Sequence, residues 1–412
     1  MADSTPTTAG ERWLSHAAIL ALGTFAVGTD TFVIAGLLPD ISRSLEISLA
    51  TAGQLVGVFS LAYALLSPVL AALTATWSRR RVLVTALCVF AVGNIATALA
   101  PTYGLTLASR LLAAAGAAMF TPNAGAAAAA VAGSERRGRA LAVVTLGLSS
   151  SLALGAPLGT AIGNAFGWQA TMWFVAALAL AVAPAIGLRL PDVRPGAAVG
   201  LRQRLAPLSD RRVLRVLLVT WLTFTAIYLP YTYISAVFAP ATGGNGNRVA
   251  LLLLVLGLAG TVGNLMAGRL ADRHGPRRVV IGATVGLTVV FLAMVPGRNH
   301  FASAIAVVAI TGASAWSMTA PQQSRIMALS PAGAEALGVS LNAAVTFLAI
   351  ASASLIGAIG LSTFHSAVSL PLIAAVSAAM AALLTWRSDR SERQRGTGAG
   401  EAAHNAADSS VR

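Results

Sequence analysis

Apolar residues run along this chain in blocks too long for strands and too uniform for amphipathic surface helices. Crossing a bilayer as a helix takes about 20 mostly apolar residues. Such stretches occur near 15–38, 50–75, 82–100, 104–130, 140–163 and 169–189. After a polar, arginine-rich interval they resume near 213–238, 248–270, 279–296, 301–325, 336–360 and 367–387. This pattern predicts an all-α integral membrane protein of 12 transmembrane helices in two six-helix halves. The expected organisation is an N-terminal tail (1–13), a first bundle (14–189), a central loop (190–212), a second bundle (213–387) and a polar, disordered tail (388–412). The first block is too long for the apolar core of a secretory signal and reads as a retained span.

The two halves repeat. "SPVLAALTATWSRRRVL" (67–83) aligns with "NLMAGRLADRHGPRRVV" (264–280) at a constant offset of 197 residues, which sets Arg81 on Arg278. At nearly the same offset "FTPNAG" (120–125) falls beside "MTAPQQ" (318–323). Two like halves imply a pseudo-two-fold axis with a central cavity between them, the architecture of a transporter that works by alternating access.

Composition agrees. The chain is 56% hydrophobic and 10% charged, with a mean hydropathy of +0.76, where soluble domains carry about 25% charged residues. All 28 basic residues are Arg, and the net charge is +14. Their distribution explains that charge better than a nucleic-acid partner does. Arg79, Arg80, Arg81, Arg136, Arg137, Arg139, the interval Arg189 to Arg215, Arg277, Arg278 and Arg387 share one set of loops; Arg43, Arg248 and Arg298 are alone in the other. By the positive-inside bias both termini are expected in the cytoplasm of a bacterial plasma membrane. Lone Cys88 reads as a small buried hydrophobe. No cofactor, nucleotide or metal is implied: the chain has no Lys for a phosphate-binding loop, and no span pairs His or acidic residues for enzymatic chemistry.

One carboxylate breaks the pattern. Of 14 acidic residues only Asp30, in "FAVGTDTFVIAG" (25–36), falls inside a span. An ionised side chain there costs at least a few kcal/mol. Counting from Leu38, Asp30 is roughly 12 Å deep at ~1.5 Å per residue. Arg110, in the oppositely directed fourth span, is roughly 9 Å deep from Gly104 by the same rise. The two can meet. Such a pair is either a static tie between helices or a proton-coupling site, in which Asp30 exchanges a proton and Arg110 and substrate compete for it.

Three segments resemble the major facilitator superfamily, over about residues 13 to 387. "GRLADRHGPRR" (268–278) resembles its signature loop: Gly268, Asp272, Arg273, Gly275, Arg277 and Arg278 all fit. The first-half copy departs from it, with Ala71, Ala75, Thr76 and Ser78 at the corresponding Gly, Asp, Arg and Gly positions. In the family this loop steadies the inner gate. "SRLLAAAGAAMFTP" (109–122) resembles the fourth-helix motif. "LALGAPLGTAIGNAFGWQATMW" (152–173), with Gly155, Pro157, Gly159 and Gly163, resembles the fifth-helix motif of antiporters, and Pro157 should kink that span. The resemblance narrows to 12-span drug:proton antiporters and the branch with chloramphenicol-resistance, arabinose-efflux-like and purine-efflux permeases. It implies export of small hydrophobic or amphipathic compounds against protons, and a monomer is expected. Phe59, Tyr63, Phe120, Asn123, Tyr228, Tyr231 and Trp316 are candidates for an aromatic cavity holding the small-molecule substrate. A sugar or nucleobase permease and a non-transporting membrane sensor remain alternatives.

Overall fold

A computed structural model describes residues 8–133, 135–192, 200, 202–203, 206–330 and 335–387. Residues 1–7 of the N-terminal tail, ten of the 23 residues of the central loop and the whole C-terminal tail from 388 lie outside the described residues. Among the described residues there is no strand, and 12 helices are long and apolar enough to cross a membrane. They are α1 Trp13–Ser44, α2 Leu49–Leu73, α3 Arg79–Leu99, α4 Tyr103–Ala132, α5 Arg137–Phe166 and α6 Trp168–Arg189, then α7 Arg211–Thr232, α8 Gly246–His274, α9 Pro276–Gly297, α10 Phe301–Leu329, α11 Leu337–Phe364 and α12 Ser369–Arg387.

Polar residues at the boundaries cap these helices. Ser48 accepts from the Thr51 amide (3.0 Å) at the start of α2. Asp210 accepts from Arg212 (2.7 Å) before α7, and Asn245 from Asn247 (2.9 Å) before α8. Gly275, at φ +83°, makes the tight reversal between α8 and α9. That value suits glycine because a Cβ would clash with the backbone.

Each half packs within itself, α3 against α4 and α6 in the first, α8 against α10 in the second. The halves meet along α2 with α11, α5 with α8, and α1 with the segment after α7. Side chains such as Leu65, Val92, Val289 and Val376 are more than half exposed on the outside, an apolar belt suited to lipid.

Three expectations need correction. The seventh span does not run to 238. The helix stops at Thr232, Tyr233 leaves helical geometry (φ −107°, ψ 32°), and two single turns follow, Ile234–Val237 and Ala239–Thr242. Tyr233 is drawn out because its hydroxyl donates to the Ser354 carbonyl (2.8 Å) on α11. Cys88 is exposed on the outer face of α3, not buried; hydropathy does not distinguish lipid-facing from core-facing positions. In α5 the irregularity precedes the proline as a π-turn, Ser151–Gly155. Pro157 has no N–H to give the Ala153 carbonyl, so the regular ladder is already lost at that turn.

Candidate functional site

Three consecutive polar residues interrupt α1. Thr29 and Thr31 satisfy themselves by donating back to the carbonyls of Phe25 (2.8 Å) and Val27 (2.9 Å), a local solution open to hydroxyls. Asp30 has none, and its partner comes from α4. Arg110 Nη1 donates to Asp30 Oδ1 at 2.7 Å and Nη2 to Oδ2 at 3.0 Å. This two-pronged geometry is the strongest form of such a pair. Both residues are sealed from solvent, at 0% and 1% exposure. The guanidinium also lies 4.5 Å above the Phe59 ring, whose face attracts cations. Arg110 Nε has no acceptor among the described residues. Burying two charges is unfavourable in itself, and the pair persists because each ion satisfies the other.

Behind Asp30, α5 approaches α1 along the glycine motif. A Cβ on Gly155 would overlap the Thr29 side chain, one on Gly159 would lie 2.6 Å from Val33 Cγ2, and one on Gly163 would overlap Leu37. The four-residue spacing on α5 faces the same spacing on α1, so the motif builds a close helix contact. Pro157 is half-buried and off this stripe.

Bonds between the halves gather at the end opposite the arginine-rich loops, here called the far end. Tyr233 is inserted between α2 and α11, where side chains on Gly53 and Gly357 would collide with its ring. Ser354 Oγ donates to the Gly53 carbonyl (2.8 Å), and Gln54 Nε2 to the Ser354 carbonyl (3.1 Å). Asn164 on α5 reaches Asn247 on α8 at 3.5 Å. At mid-depth, Tyr63 of α2 stacks on Phe347 of α11, with ring centroids 3.6 Å apart.

An aromatic seam lies between these contacts. Phe32 of α1 meets Tyr231 and Trp316 edge-on at 6.3 and 6.2 Å, and Tyr228 meets Tyr231 at 5.6 Å. The Tyr231 hydroxyl donates to the Phe32 carbonyl (2.8 Å). Tyr228, Tyr231 and Trp316, with Leu152 from α5 and Met294 from α9, enclose about 20 Å³, space for one water. In this state the seam is collapsed.

Three of the seven candidate cavity residues are elsewhere. Phe59 is under Arg110. Phe120 fills the space left by Gly23 in the first bundle's own core. Asn123 donates to the Met119 carbonyl (2.7 Å) and accepts from Arg79. Sequence reasoning counted them because aromatic and amide side chains look alike whether they face a bundle's interior or its partner. It missed Phe32, Tyr233, Gln54 and Ser354; the small residues Gly53, Gly57 and Gly357 opposite them were the available signal.

At the arginine-rich end the signature loop stands apart from the first half. Asp272, Arg273 and Arg278 are exposed, Asp272 has no ion pair among the described residues, and a Cβ on Gly268 would meet nothing within 4 Å. Arg277 turns inward and donates to the carbonyls of Thr385 (2.6 Å) and Trp386 (3.1 Å) at the end of α12. Among the described residues no group of three or more His, Cys, Asp or Glu is placed to hold a metal.

Known proteins are similar along nearly the whole length. The sequence profile of the Major Facilitator Superfamily matches residues 20–240 and 216–410. An uncharacterised MFS-type transporter of Bacillus subtilis (strain 168), YbcL, is 34% identical over 83% of this chain and 87% of its own. The inner membrane transport protein YdhP of Escherichia coli (strain K12) is 31% identical over 90% of this chain and 95% of its own. A chloramphenicol resistance protein of Streptomyces lividans is 30% identical over 82% and 87% respectively. Among solved structures, a D-xylose–proton symporter superposes with a TM-score of 0.75 at 18% identity, covering 91% of this chain and 97% of its own. The nucleoside transporter NupG does so with 0.73 at 12%, covering 91% and 99%. The repeated six-helix halves, the intact second-half loop and these relatives lead to one conclusion: the chain is a multi-pass membrane transporter belonging to the major facilitator superfamily.

Proposed function

We propose that this transporter is a proton-coupled antiporter exporting small hydrophobic or amphipathic compounds. It acts as a monomer, with the arginine-rich end and both termini at the cytoplasmic face of a bacterial plasma membrane. The arginine distribution supports the orientation. The observation that carries the coupling is the sealed pair of Asp30 and Arg110.

In the state described, the far end is latched and Asp30 neutralises Arg110. Protonating Asp30 removes the negative charge and leaves Arg110 a buried cation with only the Phe59 face beneath it. Such an uncompensated charge is unfavourable by about 3–5 kcal/mol. That imbalance favours an arrangement in which Arg110 meets water or substrate, and so links the proton to opening of the far end. Proton entry from outside and release inward would accompany outward movement of the compound. The seam of Tyr228, Tyr231, Trp316 and Met294 suits an apolar or amphipathic cargo better than a sugar, because most of its surface offers no hydrogen bond. Relatedness to a chloramphenicol resistance protein points the same way. The loop from Gly268 to Arg278 acts in this reading as a gate that engages the first half when the arginine-rich end closes. The stripe Gly155, Gly159 and Gly163 holds α1, and with it Asp30, in register.

The test uses inside-out vesicles with an imposed pH gradient and a panel of lipophilic compounds, sugars and purines. Wild type should discharge the gradient on addition of a lipophilic compound, and Asp30→Asn, correctly inserted, should not. Equal discharge by both would remove Asp30 from the coupling; discharge by sugars or purines alone would replace the substrate class.

A further inference from the structure

At the arginine-rich end of the second half, α7, α9, α10 and α12 leave a cavity of about 450 Å³. Five guanidinium groups line it: Arg212, Arg215, Arg277, Arg325 and Arg387. No carboxylate is among the described residues that line it. Two of the five are held in place by the protein. Arg277 is bonded to the α12 carbonyls, as above, and Arg325 donates to Gln322 Oε1 at 2.8 Å. One turn deeper the wall becomes apolar: Val216 and Val219 follow Arg212 and Arg215 along α7, and Leu384 precedes Arg387 on α12.

A loop bias that orients the chain does not account for this convergence, because the first half has the same bias without it. At the offset of 197 residues Arg80 and Arg81 correspond to Arg277 and Arg278. The cavity they line includes the carboxylate of Asp192. Like charges around one space repel one another, and a bound anion relieves that repulsion between Arg212, Arg215 and Arg387. Guanidinium forks match phosphate oxygens two bonds at a time. The apolar inner wall suits a ligand that carries more than a phosphate. Leu218, part of the lining, is 43% exposed, and Leu383 and Trp386 of α12 are exposed to a similar degree; the cavity therefore adjoins surface suited to lipid.

We propose that this cavity binds a phosphate-bearing anion, supplied by the headgroup of an anionic phospholipid whose glycerol and upper acyl chain follow the apolar wall. The same phosphate chemistry is available from soluble phosphate esters, and the experiment separates the two sources. The full chain is purified in detergent and presented with phosphatidylglycerol, with phosphatidylcholine, or with phosphatidylglycerol plus millimolar glycerol phosphate. Retained lipid is counted by native mass spectrometry. Arg215→Gln/Arg387→Gln removes two charges that make no bond to another helix among the described residues. Arg80→Gln/Arg81→Gln is the control in the first half. Leu384→Trp fills the apolar wall with all five arginines intact, and tests the cavity should the charge variant unfold.

Wild type and control should retain phosphatidylglycerol at least about tenfold over phosphatidylcholine. Both cavity variants should lose that preference, with glycerol phosphate having no effect. Displacement by glycerol phosphate, with the same dependence on arginine, would keep the phosphate site and assign it a soluble ligand. Equal retention of the two lipids by wild type, or an unchanged preference in both cavity variants, would overturn the proposal.

Discussion

If Asp30 and Arg110 each exist only by virtue of the other, the energetics of removing one or both should be far from additive. Asp30→Asn leaves an amide oxygen for one of the two guanidinium bonds (2.7 and 3.0 Å) and opposes the second with an N–H. Arg110, 1% exposed, then carries a buried charge with no counter-ion, at a cost of about 3–5 kcal/mol. Arg110→Gln leaves the 0%-exposed carboxylate in the converse position, with a cost of the same order. The double variant pairs two neutral amides of similar bulk and should lie within about 2 kcal/mol of wild type, because replacing a whole buried pair is often nearly neutral. Unfolding in mixed detergent–SDS micelles, followed by far-ultraviolet circular dichroism, gives the three differences. The singles should sum to about 6–10 kcal/mol and exceed the double by at least ~4. Additivity within about 0.5 kcal/mol, or a cost below ~1 kcal/mol for Asp30→Asn, would refute the reasoning.

Three further outcomes are expected. In a Cys88→Ser background, Gly57→Cys/Ser354→Cys should form a disulfide on mild oxidation, since a Cβ on Gly57 lies 3.1 Å from Ser354 Cβ; transport should stop and return on reduction, and cross-linking without loss of transport would show that the far end need not open. Gly159→Leu forces a branched side chain against Val33 and Thr171 and should cost about 1–3 kcal/mol or more by overpacking, read in the same micelle titration. Gly268→Ala meets open space, so it should leave stability unchanged or raise it by up to about 1 kcal/mol from helix propensity; a gate closing over Gly268 predicts reduced transport by Gly268→Leu with no loss of folded protein.

Hydropathy alone separated 12 helices, because each backbone must satisfy its own hydrogen bonds in lipid and needs a fixed apolar length to do so. It placed the α7 boundary wrongly because Tyr233 leaves the helix for a tertiary reason, a bond to α11 that no local pattern encodes. Depth counting set Asp30 and Arg110 at one level, since the rise of a helix is constant; the Phe59 ring beneath Arg110 was not deducible, because the rotation of α2 about its own axis depends on packing. The same limit accounts for Cys88 and Phe120. In a chain that is apolar on all sides, neither the lipid face nor the inner face carries a signature. The arginine-lined cavity was visible as charge but not as a site: Arg212, Arg277, Arg325 and Arg387 belong to four helices, and only the fold brings them together.

The π-turn in α5 has a consequence for how the halves move. It lies where α5 and α8 approach backbone against backbone: a Cβ on Gly257 would lie 2.7 Å from the Ala153 nitrogen and 2.8 Å from the Leu152 carbonyl carbon. A π-turn interrupts the regular ladder, so the bonding that would make α5 one stiff rod is broken between its two ends. From Gly155, the last residue of the turn, onward the glycine stripe fastens α5 to α1 beside Asp30; before the turn, Gly147 rests on the Ala21 carbonyl. If the second half rocks, its push on the first reaches α5 at this joint, where the transmembrane rod is interrupted. In the alternating-access reading, displacement at the seam would reach α1 beside the ion pair as twist in α5 rather than as movement of the whole first bundle.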